Sequence, residues 1–339
     1  MSGERVKIAA SVWDVQDHDR KLFQRELNAF VPERIFDAHA HLYAKNQFRA
    51  ASPALVAAGP DSVGLADYLE AMSALTPGRR YSGLFFGFPH AELDLEAANT
   101  FLAQEVRADT QSRAQMLIRP GMDPELLRDT VRRDKFVGLK CYHVWATEQP
   151  TFEAKVESFL PEEHVRVAHA EGLSITLHMV RSRAMADPLN QHTIRTFAER
   201  YPNMRFILAH AARGFNPHHT IEGIGSLRGL RNVWCDTSAV TDGGAFEAII
   251  DTLGHDRLLY GSDFPVSQER GRCVAIGDSF LWLSEANTNF HVNYAELRPA
   301  LVGLESLRVL KTACRTMRLS DSQVEDIFWG NAAELYGLS

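Results

Sequence analysis

No stretch of this 339-residue sequence approaches the roughly twenty consecutive apolar positions that a membrane helix needs. Its first residues hold no apolar run long enough for a secretory signal, so export is not expected. Cysteine is scarce: Cys141, Cys235, Cys273 and Cys314 lie far apart, with no Cys-x-x-Cys. That spacing argues against a disulfide framework and for reduced thiols in a cytoplasmic protein. Basic runs are absent and the net charge is −7, which argues against a nucleic-acid or anionic-membrane partner. Glycine-rich phosphate loops of the GxGxxG or GxxxxGK[ST] kind do not follow the first apolar run, which weakens a nucleotide-binding open sheet. Internal repeats and low-complexity tracts are missing too.

What is present is an ordinary globular composition, with 45% hydrophobic and 23% charged residues. A chain of this length buries enough surface to fold without a metal or disulfide, so a metal site in it would serve chemistry. Eight short apolar runs punctuate it, at 35–42, 81–88, 114–119, 136–143, 173–180, 205–210, 232–237 and 258–263. They are strand-length, and mostly continuous rather than alternating, as parallel strands covered on both faces require. Helical patterns with recognisable ends separate them. Asp123-Pro124 and Asp187-Pro188 each offer a cap followed by a first-turn proline, and Pro161-Glu162-Glu163 opens a segment that Gly172 closes. Strand and helix thus alternate eight times, which predicts an α/β fold of the closed (β/α)8 TIM-barrel type. Residues 1–33 form an N-terminal extension, 43–63 lengthen the first loop, and 266–315 form a helical insertion after strand 8. All are expected to decorate one domain spanning 1–339.

Ionisable residues sit where these apolar runs end. His39 and His41 close the first, and strict alternation puts Asp37 on their face. Two imidazoles on one face can reach one metal ion. His178 ends the fifth run, His210 the sixth and Asp263 the eighth, while Lys140 lies within the fourth. Such groups are costly in apolar strands unless paired or metal-bound, and the C-terminal rim of a barrel is where catalytic groups come from.

In this order the motifs Asp37-Ala38-His39-Ala40-His41, Gly138-Leu139-Lys140, His178, Ala209-His210, Gly261-Ser262-Asp263-Phe264-Pro265 and the closing 330–337 segment resemble the amidohydrolase superfamily. The similar group includes the aminocarboxymuconate-semialdehyde decarboxylases, and the resemblance covers roughly residues 34–338. It implies a metal-bearing barrel with His39, His41, His178 and Asp263 around one divalent ion, most simply Zn²⁺, with Mn²⁺ or Fe²⁺ as alternatives. Asp263 would also accept the proton of an activated water, and His210 would assist at the nucleophile or the substrate oxygen. Lys140 is read as a substrate-side cation; in two-metal relatives the corresponding lysine is carboxylated and bridges the ions. Arg181 is the first candidate for clamping a substrate carboxylate, with Arg183 and Arg213 behind it. His143 and Trp145 could line the same mouth, and Asp236 could orient a ligand histidine. The expected partner is a small molecule, with self-association into a homo-oligomer left open. Three functions follow: a hydrolase opening a lactone, ester or amide, a metal-dependent decarboxylase, and a barrel that binds without turnover. The complete ligand set favours the enzymes, and the water-activating set favours the hydrolase.

Overall fold

The computed structural model describes residues 13–285, 287–290 and 298–339. Eight parallel strands run in sequence order through one curled sheet: β1 (Arg34–Ala44), β2 (Arg80–Gly87), β3 (Arg113–Leu117), β4 (Gly138–Tyr142), β5 (Ser174–His178), β6 (Arg205–Leu208), β7 (Val233–Asp236) and β8 (Leu258–Leu259). A ninth, two-residue strand, Ser62–Val63, pairs antiparallel with the end of β1. The curl brings the chain after β8 back to β1. Ala38 N donates to Tyr260 O (2.7 Å), Asp263 N to His39 O (2.8 Å) and His41 N to Phe264 O (2.8 Å). The eighth expected strand is thus a two-residue ladder followed by single backbone bonds to β1 rather than a six-residue strand.

Helices follow every strand: α1 (Leu65–Leu75), α2 (Leu95–Val106), α3 (Pro124–Asp134), α4 (Glu162–Glu171), α5 (Pro188–Arg200), α6 (Pro217–Gly223), α7 (Gly244–Leu253) and α8 (Val302–Thr316). The expected caps form. Asp123 accepts from the Glu125 and Leu126 amides, Asp187 accepts from Leu189 N, and Gly172 ends α4 at φ +64°. The longer helices bury apolar stripes; in α8 this is Leu304, Leu307, Leu310 and Ala313. None of the described helices is long and apolar enough to cross a membrane.

Two expectations need correction. The segment after β8 is not helical throughout. Residues Gly271–Ile276 (β9) and Ser279–Ser284 (β10) form an antiparallel hairpin, and the described helical parts are a 3-10 turn at Val266–Gln268 and α8; 291–297 lie outside the described residues. A two-residue Gly277-Asp278 loop, with Gly277 at φ +57°, makes the reversal, and the alternation of Phe280 and Trp282 with Leu281 and Leu283 has period two rather than 3.6. The extension contains a helix, Asp17–Leu22, continued by a wider turn to Leu27, while residues 1–12 lie outside the described part.

The second correction concerns β1. Its register against β2 slips by one residue between Asp37 and Ala40. Phe36 and Ala38 pack inward with Leu84, Ile207 and Leu259, whereas Asp37 turns away to accept from Tyr68 of α1 (2.8 Å) and from Ser262 N (2.8 Å). The bulge breaks the alternation, so Asp37 does not share the face of His39 and His41. It locks the Gly261-Ser262-Asp263 segment to β1 instead.

Candidate metal and substrate site

The bulge matters because it re-aims His39. Its Nε2 and that of His41 each stand 3.4 Å from Asp263 Oδ1, with all three side chains buried. Two ligands about 2.0–2.1 Å from a tetrahedral zinc stand about 3.4 Å apart, so the spacing is that of groups sharing one ion. Their outward nitrogens are anchored. His41 Nδ1 is 3.0 Å from the Gly87 carbonyl, which can only accept, so the proton sits on Nδ1 and the Nε2 lone pair faces Asp263. His39 Nδ1 lies 2.9 Å from Asp236 Oδ2, the carboxylate–histidine arrangement that orients a ligand imidazole. The donor set therefore fits a divalent cation. His39, His210 and Asp236 also converge, but there the His39 nitrogen is the one already bonded to Asp236, so that group orients rather than offers a second site.

Electrostatics keep these groups in ligand form. Burial, then the Lys140 ammonium, push His39 down to about 3 against the pull of Asp236 and Asp263, so its imidazole is neutral. Burial would raise Asp263, but His210, His41 and His39 outweigh it and hold the carboxyl below its ordinary range. Asp236 is held low in the same way, burial being outweighed by His39, His210 and Ser238.

The rest of the expected constellation divides. His178 ends β5 beside the site but outside the convergent triad: its Nδ1 is 3.0 Å from His210 Nε2, and its Nε2 accepts from Arg213 Nη1 at 3.0 Å. His210 also places Nδ1 3.0 Å from the Ser238 carbonyl and 3.9 Å from Asp263 Oδ2. Lys140 is fully buried, with Nζ 3.5 Å from His39 Nε2 and 4.4 Å from the centre of the Phe86 ring; burial lowers it to about 8. Arg181, by contrast, is engaged elsewhere: Nε donates to Asp187 (2.8 Å) and Nη1 to the Glu153 carbonyl (2.6 Å). Arg183 pairs with Glu222. His143 is buried next to His178, the ring centroids 5.9 Å apart.

Residues 210–213 carry a feature no periodicity could reveal. His210, Ala211, Ala212 and Arg213 all have φ between +52° and +59°, a single left-handed turn closed by Gly214 N donating to His210 O (2.6 Å). For L-residues other than glycine such a turn costs about 1–2 kcal/mol each, roughly 4–8 kcal/mol for four. Strain of this kind persists where the surroundings over-determine it. Here Asp236 Oδ1 accepts the His210 amide at 2.8 Å and Thr220 donates to Ala211 O at 2.8 Å. The turn brings His210 and Arg213, three residues apart, to the same imidazole, His178. Ser238, which bonds His39, His210 and Asp236 together, was also missed; its one signal is a place just beyond the aspartate that ends β7.

The family model described as Amidohydrolase matches residues 36–338. Among curated proteins, L-fucono-1,5-lactonase of Burkholderia ambifaria is 30% identical over 122 residues, 32% of this chain and 41% of that protein, so the match spans under half of the lactonase. A zinc-bound amidohydrolase from Burkholderia multivorans superposes with a TM-score of 0.57 at 15% identity, covering 90% of this chain and 99% of that one. The 5-carboxyvanillate decarboxylase of Sphingomonas paucimobilis does so at 0.54 and 14%, covering 91% and 100%. At those identities the two structures attest the fold alone.

Proposed function

Because the chain belongs to the amidohydrolase family and is an enzyme of that superfamily, we propose that it is a metal-dependent hydrolase of a small, carboxylated lactone, ester or amide. The observation that carries this reading is the convergence of His39 Nε2, His41 Nε2 and Asp263 at 3.4 Å, each imidazole fixed through its other nitrogen. We assign one divalent ion to these three groups, with His178 as the fourth ligand, and zinc as the first candidate ahead of manganese and iron. The zinc-bound structural relative is in keeping with that choice. The ion would supply a Lewis acid that brings the pKa of a water from 15.7 toward ~7.

The chain's own residues do the rest. Asp263, held ionised by the surrounding imidazoles, accepts the proton of the attacking water. His210 stands between Asp263 and His178 and assists at the reacting oxygen. Lys140, lowered to about 8 by burial and so still mostly protonated at pH 7, contributes positive charge beside His39 on the substrate side. The scaffold is read as one domain, a closed (β/α)8 barrel, supported by the three backbone bonds between β1 and residues 260–264. Four buried thiols suit a reducing cytoplasm. The short lactonase match supports a lactone over the other two substrate types.

Turnover in H₂¹⁸O tests the reaction class against a panel of lactones and aromatic carboxylates. A hydrolase places one heavy oxygen in the product acid. Stoichiometric CO₂ release without ¹⁸O incorporation would make the enzyme a decarboxylase and overturn the hydrolytic reading.

A further inference from the structure

The guanidinium of Arg213 lies at the site without an acidic partner among the described residues. Among the described residues its hydrogen bonds go from Nη1 to His178 Nε2 (3.0 Å) and to the Met179 carbonyl (3.3 Å), and its carbon sits 5.6 Å from the centre of the Phe280 ring. Nε and Nη2 carry no hydrogen bond there. Burial disfavours its charge, and no carboxylate is among the groups that offset that cost. A largely desolvated cation with half of its fork uncommitted is built for an anion that binds two-pronged.

The tautomers of the neighbouring rings follow from their partners. The Ser238 carbonyl only accepts, so His210 carries its proton on Nδ1 and accepts at Nε2. His178 therefore donates from Nδ1 to His210 and keeps its lone pair on Nε2. That lone pair is the one Arg213 occupies, and it is the only one His178 could offer a metal. With His178 assigned as the fourth ligand, Arg213 and the metal compete for a single atom.

We propose that Arg213 is the site's carboxylate reader, and that a substrate carboxylate, by drawing the guanidinium onto itself, frees His178 Nε2 for the metal, so that anion and metal each tighten the binding of the other. This rests on the metal site assigned above. A charge-assisted pair of parallel N–H···O bonds is stronger than one bond to a neutral imidazole, which gives the exchange its direction. Phe280 beside the guanidinium and Phe215, stacked on His210 at 5.0 Å, wall the position with aromatic rings, so the carboxylate is expected on a planar or cyclic body. The left-handed turn serves this purpose, since it is what delivers His210 and Arg213 to opposite nitrogens of one ring.

The test needs no turnover. Apoprotein is titrated with Zn²⁺ against a chromophoric chelator, with and without benzoate, in wild type and in Arg213→Gln, each checked for folding by circular dichroism. Wild type is expected to bind Zn²⁺ about fivefold or more tightly with benzoate, the ordinary scale of such linkage. Arg213→Gln is expected to bind Zn²⁺ more tightly than wild type without benzoate, and to ignore benzoate. Wild-type affinity unchanged or weakened by benzoate, a benzoate effect surviving in the variant, or weaker Zn²⁺ binding by a folded variant overturns the proposal. Should Arg213→Gln not fold, the wild-type pair of titrations decides it. A wild type that takes up no Zn²⁺ sinks the metal reading and this inference together. Zinc uptake indifferent to benzoate sinks this inference alone, and a failed ¹⁸O experiment leaves it standing.

Discussion

At one end of the curled sheet Phe36, Ala38, Leu84, Ile207 and Leu259 meet Ala332 and Leu335 of the terminal helix Asn331–Tyr336, with Tyr336 stacked on Phe36 at 5.7 Å. At the other end, a few residues along the same strands, His39, His41, Lys140, His178, His210, Asp236 and Asp263 are buried together. The first end is an apolar cluster of aliphatic and aromatic side chains. The second gathers seven ionisable side chains out of water and holds four consecutive residues in left-handed backbone. The contrast separates what makes the chain fold from what makes it react.

The two ends should therefore fail differently when cut. His39→Ala or His41→Ala, at the polar end, is expected to remove most bound metal and nearly all activity; metal analysis beside a melting curve checks that the chain still folds. Phe36→Ala, at the apolar end, is expected to lower stability by about 3–5 kcal/mol through the cavity it leaves, while each folded molecule keeps its metal and turnover. Equal loss of metal in both variants would erase the distinction. Asp263→Asn keeps the size and one ligand oxygen but loses the proton acceptor. Turnover should fall by about 10² or more with metal retained at reduced affinity, as steady-state kinetics and metal titration would show.

A finer cut tests the layer between the ends. Asp236→Asn leaves the triad intact but loosens the ring of His39, so metal affinity or activity should drop by about 10–100-fold, short of the loss in His39→Ala. The smallest effect is expected from the thiols. Burial pushes Cys141, Cys273 and Cys314 up to about 12 and Cys235 higher still, so all four stay protonated at pH 8. Native protein should resist iodoacetamide, with mass spectrometry showing labelling only after denaturation. Rapid labelling of Cys141, beside Lys140 in β4, would mean that the polar end admits water more freely than the burial of its groups implies.

The sequence by itself determined the order of strands and helices, because apolar runs and caps are local signals. Asp123, Asp187 and Gly172 stop or start their helices where their chemistry says they must. It also marked His39, His41, His210 and Asp263 by an energetic oddity visible in one dimension, ionisable groups closing apolar strands. Tertiary structure decided the rest. A one-residue slip between β1 and β2 turned Asp37 away from the histidines it alternates with, since register depends on the partner strand. The hairpin at 271–284 was hidden by a helical pattern farther along the same insertion. Arg181 and Arg213 look alike in sequence, each three residues beyond a strand-end histidine. Only folding pairs the first with Asp187 and leaves the second without a carboxylate among the described residues, because which charges meet is set by chain segments distant in sequence and close in space.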